Sequence, residues 1–145
     1  MKPSLKPGLK HCFSYKVPEN KTVPHLYPEA REFQAMPDVF ATGFLVGLLE
    51  WTCIQLLQPH LDPGEGSLGI EIDVAHTAAT PAGMTVTVEA ELIALEGAKS
   101  RFRVRAHDGI DEISAGEHAR FIVKWDKFNA RIDEKRIKAA AAGAH

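Results

Sequence analysis

The sequence predicts an α+β domain in which one long central helix is wrapped by an antiparallel sheet of about five strands. Residues 40–57, FATGFLVGLLEWTCIQLL, are apolar on nearly every side and long enough for about five helical turns. Five other runs alternate apolar and polar residues, as half-buried strands do. These runs cover residues 11–17, 70–76, 85–95, 99–107 and 112–125. A helix that is apolar all round needs cover on every side, and a curved sheet supplies most of it.

Length and composition indicate one globular domain. The chain has 145 residues, of which 45% are hydrophobic, and its net charge of −2 gives no reason to expect a nucleic-acid partner. The proline-broken N-terminus lacks the apolar stretch of an export signal, and a charge inside the central helix argues against a membrane span. Two cysteines in such a chain favour reduced thiols and a cytoplasmic location, with a Cys12–Cys53 disulfide as the alternative.

The domain boundaries follow from the strand and charge patterns. Residues 1–10 hold two proline turns and are expected to be flexible, residues 11–132 form the domain, and residues 133–145 form a charged, alanine-rich tail. Residues 18–37 contain four prolines and several large apolar side chains, so we expect them to pack down as a lid. The alternative is that they only cover an edge of the core.

The central helix has recognisable start and stop signals. Asp38 is a suitable N-cap, and Pro59 should end the helix. Gly43 and Gly47 lie one turn apart on one face, where each lowers helix propensity by up to about 1 kcal/mol. We expect them to let the sheet backbone approach the helix closely.

Turn signals separate the strands after the helix. Residues 60–69 are rich in glycine and proline but lack the Gly-Lys-Ser/Thr of a phosphate-binding loop. The dipeptides EG at residues 96–97 and DG at residues 108–109 predict tight turns, and Gly116 predicts a bulge or bend. Long β-branched edge strands predict pairing with a second copy of the chain.

Glu50 is the charged residue inside the apolar helix and the strongest catalytic candidate. Burying an unpaired carboxylate is costly unless it is paired, hydrogen-bonded or protonated, so folding alone would not select it. Two interpretations stay open. Glu50 is either a nucleophile or general base with a pKa raised by burial, or a structural carboxylate held by a buried partner.

Five motifs resemble those of the fluoroacetyl-CoA thioesterase family and span about residues 11–132. They are PDVFATGFLVGLLEW, PGEGSLG, HTAATPAGMTVTVEAEL, AHDGIDEI and DKFNARI. The resemblance implies a homodimeric hotdog fold and hydrolysis of a short-chain acyl-CoA to free acid and CoA. It implies no separate cofactor, because coenzyme A is part of the substrate.

The resemblance also implies roles for single residues. Thr42, Glu50 and His76 stand in matching motifs and are implied to be catalytic, whereas Gly69 and Arg120 match substrate-contacting positions.

In the lid, Phe33 and Met36 are the implied substrate-binding residues. Phe33 matches the family, but Met36 stands where the fluoroacetyl-specific member has a second phenylalanine. A flexible methionine cannot reproduce a rigid aromatic gate, so we expect weak fluoroacetyl selectivity with hydrolysis retained.

The residue types themselves leave alternatives open. Thr42 and Glu50 lie about 12 Å apart along an ideal helix axis and cannot hydrogen-bond directly. Thr42 is either an acyl-binding group at the helix N-terminus or a hydroxyl bonded to the backbone. His76 either handles the proton beside Glu50, in a site shared with a second subunit, or is structural. Gly69 is an oxyanion donor or a turn glycine with positive φ, and Arg120 binds CoA or lies on a solvated face.

A basic row on one strand also has two interpretations. Lys99, Arg101, Arg103 and Arg105 either meet the phosphates of CoA or form a solvated strand face. No His/Cys cluster has metal-ligand spacing, so we expect no metal. Competing functions are a non-catalytic acyl-CoA-binding hotdog protein and a hotdog dehydratase or hydratase.

Overall fold

A five-stranded antiparallel sheet frames the molecule in a computed structural model that describes residues 1–143. The strand order is β1-β3-β4-β5-β2, so β1 and β2 are the edges. The predicted strands are all present, with small shifts at their ends. They are β1 (Lys10–Lys16), β2 (Glu65–His76), β3 (Thr85–Glu96), β4 (Lys99–His107) and β5 (Glu112–Lys124).

Three α-helices accompany the sheet in the described residues, and the second packs on one of its faces. They are α1 (Arg31–Gln34), α2 (Thr42–Leu57) and α3 (Trp125–Ala141). Leu45 and Leu49 of α2 are fully buried in one apolar cluster with Val88 of β3 and Phe102 of β4. Burying one such side chain contributes about 1.5–3 kcal/mol, so this layer supplies much of the stability of the predicted α+β fold.

The start and the cover of α2 differ from the prediction. Ala41 is the N-cap in place of Asp38, because Phe40 forms a β-bridge with Thr22 that keeps the chain extended up to the helix. Trp51 and Ile54 remain 46% and 36% exposed. The prediction of a helix buried all round was therefore wrong for the single chain, since the sheet covers only one side of α2.

The two glycines of α2 do not meet the sheet. A Cβ at Gly43 would lie 2.9 Å from a methyl carbon of Leu26, in the segment before the helix. A Cβ added at Gly47 would have no described atom within 4 Å. The predicted contact with the sheet backbone was wrong, because both residues lie on the side of α2 that the sheet leaves open.

Both ends of the described chain contribute more structure than expected. Leu5 is 6% exposed and belongs to the core, and the N–H of Gly8 donates to the carbonyl of Leu92, so part of residues 1–10 packs against the domain. At the other end, α3 runs past residue 132 through most of the predicted tail. Residues 144–145 of that tail lie outside the described residues.

The register shift between β2 and β5 does not lie at Gly116, where the sequence predicted it. The register shifts between Gly69 and Glu71, while β5 pairs regularly with β2 through Gly116. Gly116 has a φ of 156°, and a Cβ there would overlap the backbone of Asp73. The glycine therefore permits close approach of two strands rather than a bulge. The turn between β3 and β4 lies at residues 97–98, one residue after the predicted position, and the chain between β4 and β5 turns from residue 108 as predicted.

Two further observations concern the chain as a whole. Cys12 is exposed, Cys53 is buried, and the two are not bonded to each other; the reduced state remains a prediction. No helix within residues 1–143 is long and apolar enough to cross a membrane.

Candidate active site

The first polar cluster joins the start of α2 to the end of β2. Thr42 is the first residue of the helix, and its Oγ1 lies 2.7 Å from Nδ1 of His76, the last residue of the strand. The Thr42 side chain is thus bonded to an imidazole rather than to the helix backbone. Both residues line a cavity of about 280 Å³ with Val39 and Ala78.

His76 is held as a neutral base. Burial lowers the pKa of its imidazole, and a backbone group of Ala78 opposes this only in part. Its Nε2 is buried and has no hydrogen-bond partner among the described residues. A neutral ring with Nδ1 beside a hydroxyl is able to accept a proton from Thr42 or from a molecule that replaces it there.

The second cluster is centred on Glu50, two turns further along α2. Nη1 of Arg120 donates to Oε1 of Glu50 at 3.0 Å, and the Arg120 side chain is only 4% exposed. Its other donors are also used: Nε binds Oγ of Ser67 at 2.8 Å and Nη2 binds the carbonyl of Ser67 at 2.9 Å. Arg120 is therefore a buried partner of Glu50, and the solvated-face interpretation was wrong.

His118 belongs to the same cluster, and sequence reasoning missed it. Its Nδ1 lies 2.6 Å from the carbonyl oxygen of Glu71, and its Nε2 lies 3.2 Å from Nη1 of Arg120. Burial is the main cause that lowers its pKa, and the charge of Arg120 adds to the effect. The signal was available, because His118 and Arg120 alternate with the buried Ile122 and so share its inward face.

Gly69 lies directly beside the carboxylate. It is the register partner of Arg120, and a Cβ added to it would overlap Oε1 of Glu50. Its φ is not in the left-handed region, so it is not the turn glycine of the alternative interpretation. The absent side chain leaves room for Glu50 and for a cavity of about 300 Å³ beside it.

Within one chain the predicted catalytic residues form two separate groups. Thr42 and His76 are bonded to each other, whereas Glu50 is bonded to Arg120 and lies beside Gly69. No hydrogen bond links the groups in the described chain, as we expected from the helical spacing of Thr42 and Glu50.

The two lid residues lie in the segment that precedes α2. Phe33 is half-buried and its ring stacks on Tyr27 at 6.0 Å between centroids, and Met36 is 46% exposed. Neither lines the cavity beside Thr42 or the one beside Glu50 in the single chain. Their contact with substrate therefore remains a prediction.

The basic row lies on the outer sheet face and is mostly neutralised. Arg101 pairs with Glu71 and Glu117, and Arg103 and Arg105 pair with other carboxylates. These contacts favour the solvated-face interpretation of the row. A cavity of about 490 Å³ on that part of the sheet is lined by charged side chains and contains none of the predicted catalytic residues.

Comparison with known proteins gives consistent matches over most of the chain. Residues 18–126 match the model of a family described as fluoroacetyl-CoA-specific thioesterase. The fluoroacetyl-CoA thioesterase of Streptantibioticus cattleyicolor is 53% identical over 135 residues, which cover 93% of this chain and 97% of that protein. These matches agree with the resemblance carried by the five motifs.

Solved structures give the same result at the level of the fold. A variant of the fluoroacetyl-CoA-specific thioesterase in complex with fluoroacetate and CoA is 54% identical, with a TM-score of 0.84, and covers 86% of this chain and 99% of its own. A hot-dog-like protein from Thermanaerovibrio acidaminovorans is 20% identical, with a TM-score of 0.76, and covers 92% and 93% of the two chains. The predicted hotdog fold is confirmed.

Proposed function

Because the chain belongs to the fluoroacetyl-CoA-specific thioesterase family, we propose that it hydrolyses short-chain acyl-CoA, with Glu50, Thr42 and His76 as catalytic residues. That it is an acyl-CoA thioesterase follows from its membership of the family. The short acyl chain, the residue roles and the subunit arrangement are our proposals. The reaction needs only water as a second substrate, because coenzyme A arrives as part of the thioester.

One observation supports the site more than any other. Arg120 holds one oxygen of Glu50 beside a strand position that has no side chain, Gly69. A carboxylate fixed through Oε1 can present its second oxygen to a thioester carbonyl or to water.

The proposed chemistry has two forms that share the same residues. Glu50 either attacks the thioester carbonyl or removes a proton from the attacking water. In the first form the carbon–sulfur bond breaks to give an anhydride of Glu50 and the CoA thiolate, and water then hydrolyses the anhydride to the free acid. In the second form the tetrahedral intermediate expels the thiolate directly. In both forms a proton from the water reaches the thiolate through His76, whose ring is neutral again afterwards, while Thr42 orients the ring or the acyl group. The N–H of Gly69 is proposed to stabilise the oxyanion.

We propose that a homodimer brings the two polar groups together. β2 is an edge strand, and Ile70 and Ile72 along it are 51% and 42% exposed, like Trp51 on the open side of α2. Antiparallel pairing of β2 with its own copy near the middle of the strand would bring the His76 end of one strand toward the Gly69 end of the other. Each site would then use Thr42 and His76 from one chain and Glu50 from the other.

A complementation experiment tests the shared site. Glu50→Gln and His76→Ala chains are each expected to be inactive, and mixed dimers should regain activity because one of their two sites is complete. Recovery in the mixture supports the dimer, and an inactive mixture with proven subunit exchange contradicts it. A thiol-release assay over a panel of short acyl-CoAs identifies the preferred acyl group.

The protein is proposed to work in the cytoplasm. The two free thiols support this proposal, because disulfides are rare in that compartment. Localisation of the tagged chain in its own cells, with a membrane-fraction control, would test it.

A further inference from the structure

His118 is the buried histidine behind the catalytic carboxylate. It is 2% exposed and faces inward from β5. Nothing in the proposed chemistry uses it directly, yet its ring contacts Arg120, which in turn contacts Glu50. We propose that His118 is a positioning residue whose neutral imidazole accepts a hydrogen bond from Arg120 and thereby fixes the guanidinium that holds Glu50. This inference rests on the proposed role of Glu50.

The neighbours of the ring determine which nitrogen carries the proton. The carbonyl of Glu71 can only accept, so Nδ1 of His118 must be the donor in their 2.6 Å contact. Arginine can only donate, so Nε2 must be the acceptor in the 3.2 Å contact with Arg120. Both contacts select the same neutral tautomer, and a ring protonated at both nitrogens would face Arg120 with a second donor.

Burial and the positive charge of Arg120 favour that neutral form, and the carbonyl of Glu71 from β2 and the charge of Glu50 from α2 oppose it only in part. Phe102 of β4 stacks on the ring with 6.5 Å between ring centroids. Burial lowers the pKa of His118, which keeps the acceptor lone pair available at neutral pH.

Arg120 is thereby fixed in three directions. Ser67 binds Nε and Nη2, and His118 and Glu50 share Nη1. The guanidinium is rigid and planar, so its two Nη1 hydrogens point in fixed directions. When Nε2 of His118 accepts one of them, the other is directed toward Glu50. Loss of that acceptor should let Arg120 rotate and leave the carboxylate less precisely placed.

Two isosteric substitutions separate this role from simple packing. His118→Gln keeps an amide oxygen near the position of Nε2 and so retains an acceptor for Arg120. His118→Asn keeps a donor near the position of Nδ1 for Glu71 but offers Arg120 no acceptor. We expect His118→Asn to lower kcat about 10-fold to 100-fold with little change in KM, as for other supporting-shell substitutions, and His118→Gln to remain within about threefold of wild type.

A readout independent of activity completes the test. Solvent exchange of the Arg120 Nε–H, followed by NMR, should be faster in His118→Asn and unchanged in His118→Gln. Equal kcat losses and equal exchange in the two variants would mean that His118 only fills space, which overturns the inference. If Glu50→Gln is fully active, the proposed function itself fails; if Glu50→Gln is inactive while His118→Asn behaves as wild type, only the inference fails.

Discussion

Nη1 of Arg120 donates to Oε1 of Glu50 at 3.0 Å, from a guanidinium that is almost completely buried. The two residues are 70 positions apart in the chain, and the contact joins α2 to the inward face of β5. A buried arginine that loses its carboxylate is destabilising, because its charge is left without a partner. With the proposed catalytic role of Glu50, activity and stability should both depend on this ion pair.

Glu50→Gln should lose hydrolysis while the protein still folds. The amide can accept from Arg120 but is neither a nucleophile nor a base, so we expect a rate loss of about 100-fold or more. Because the arginine charge becomes unpaired, unfolding should require about 1–3 kcal/mol less free energy. Thiol release and urea denaturation measure the two effects. Full turnover in this variant would contradict the catalytic role of Glu50.

The matched control is the double variant Glu50→Gln/Arg120→Met. Removing the buried arginine charge together with its carboxylate partner often restores stability, so this chain should be more stable than Glu50→Gln and remain inactive. If its activity returned, Glu50 would be structural.

Gly69→Ala should displace the carboxylate. The new methyl group would overlap Oε1 of Glu50 and would lie 3.4 Å from Nη1 of Arg120. We expect kcat to fall at least about tenfold, because a small misplacement at a reacting group costs that much or more. Gly47→Ala is a suitable control, since a Cβ there meets no described atom. Wild-type kcat in Gly69→Ala would show that the close fit has no importance for catalysis.

Met36→Phe should raise the ratio of fluoroacetyl-CoA to acetyl-CoA hydrolysis. The change places a rigid ring near Phe33, which already stacks on Tyr27. Met36→Leu changes the side chain without adding a ring and should leave the ratio unchanged. Competition assays with the two thioesters measure the ratio, and an unchanged value in Met36→Phe would refute an aromatic gate.

The fold should become less stable as the pH drops below about 6.5, the ordinary pKa of histidine. Burial lowers the pKa of His76 and of His118, so in the window below that value the unfolded chain binds protons that the folded chain does not. The stabilisation that the two neutral histidines contribute is therefore present above the ordinary histidine pKa. It is lost as the pH falls toward the lower pKa values that these histidines have in the folded chain. Urea denaturation across this range should show a smaller decrease for His76→Gln. An equal decrease in that variant would assign the effect to other groups.

The two thiols should differ in reactivity. Cys12 is exposed, whereas Cys53 is buried and its burial raises the pKa to about 12. One thiol per folded chain should react rapidly with a disulfide reagent, and the second only after denaturation. Cys12→Ser should remove the rapid phase, and a remaining rapid phase would show that Cys53 is accessible.

Much of this architecture could be predicted from local patterns. Alternation located the five strands, and the apolar run located α2 with Glu50 inside it, because these periods reflect which side of an element is buried. The same patterns could not show that the sheet covers only one side of α2. A helix face that would be covered by a second chain is apolar, just like a face buried within one chain. The sequence pattern therefore cannot distinguish the two.

The buried partners of Glu50 were harder to predict for a different reason. His118 and Arg120 are polar residues on an inward strand face, and they are tolerated there only because each finds a partner on another strand or on α2. Such pairing depends on contacts between distant parts of the chain. Sequence alternation does place both residues inward, and greater weight on that signal would have identified His118 and the buried position of Arg120.

The two tryptophans occupy separate parts of the molecule. Trp51 lies on the open side of α2 against the rings of Phe13 and Tyr15, while Trp125 covers Gly66 at the start of α3. Each environment should give its own fluorescence emission. A Trp125→Phe chain would report subunit association through Trp51 alone, and a Trp51→Phe chain would report the docking of α3, so the protein carries two intrinsic optical probes for two distinct events.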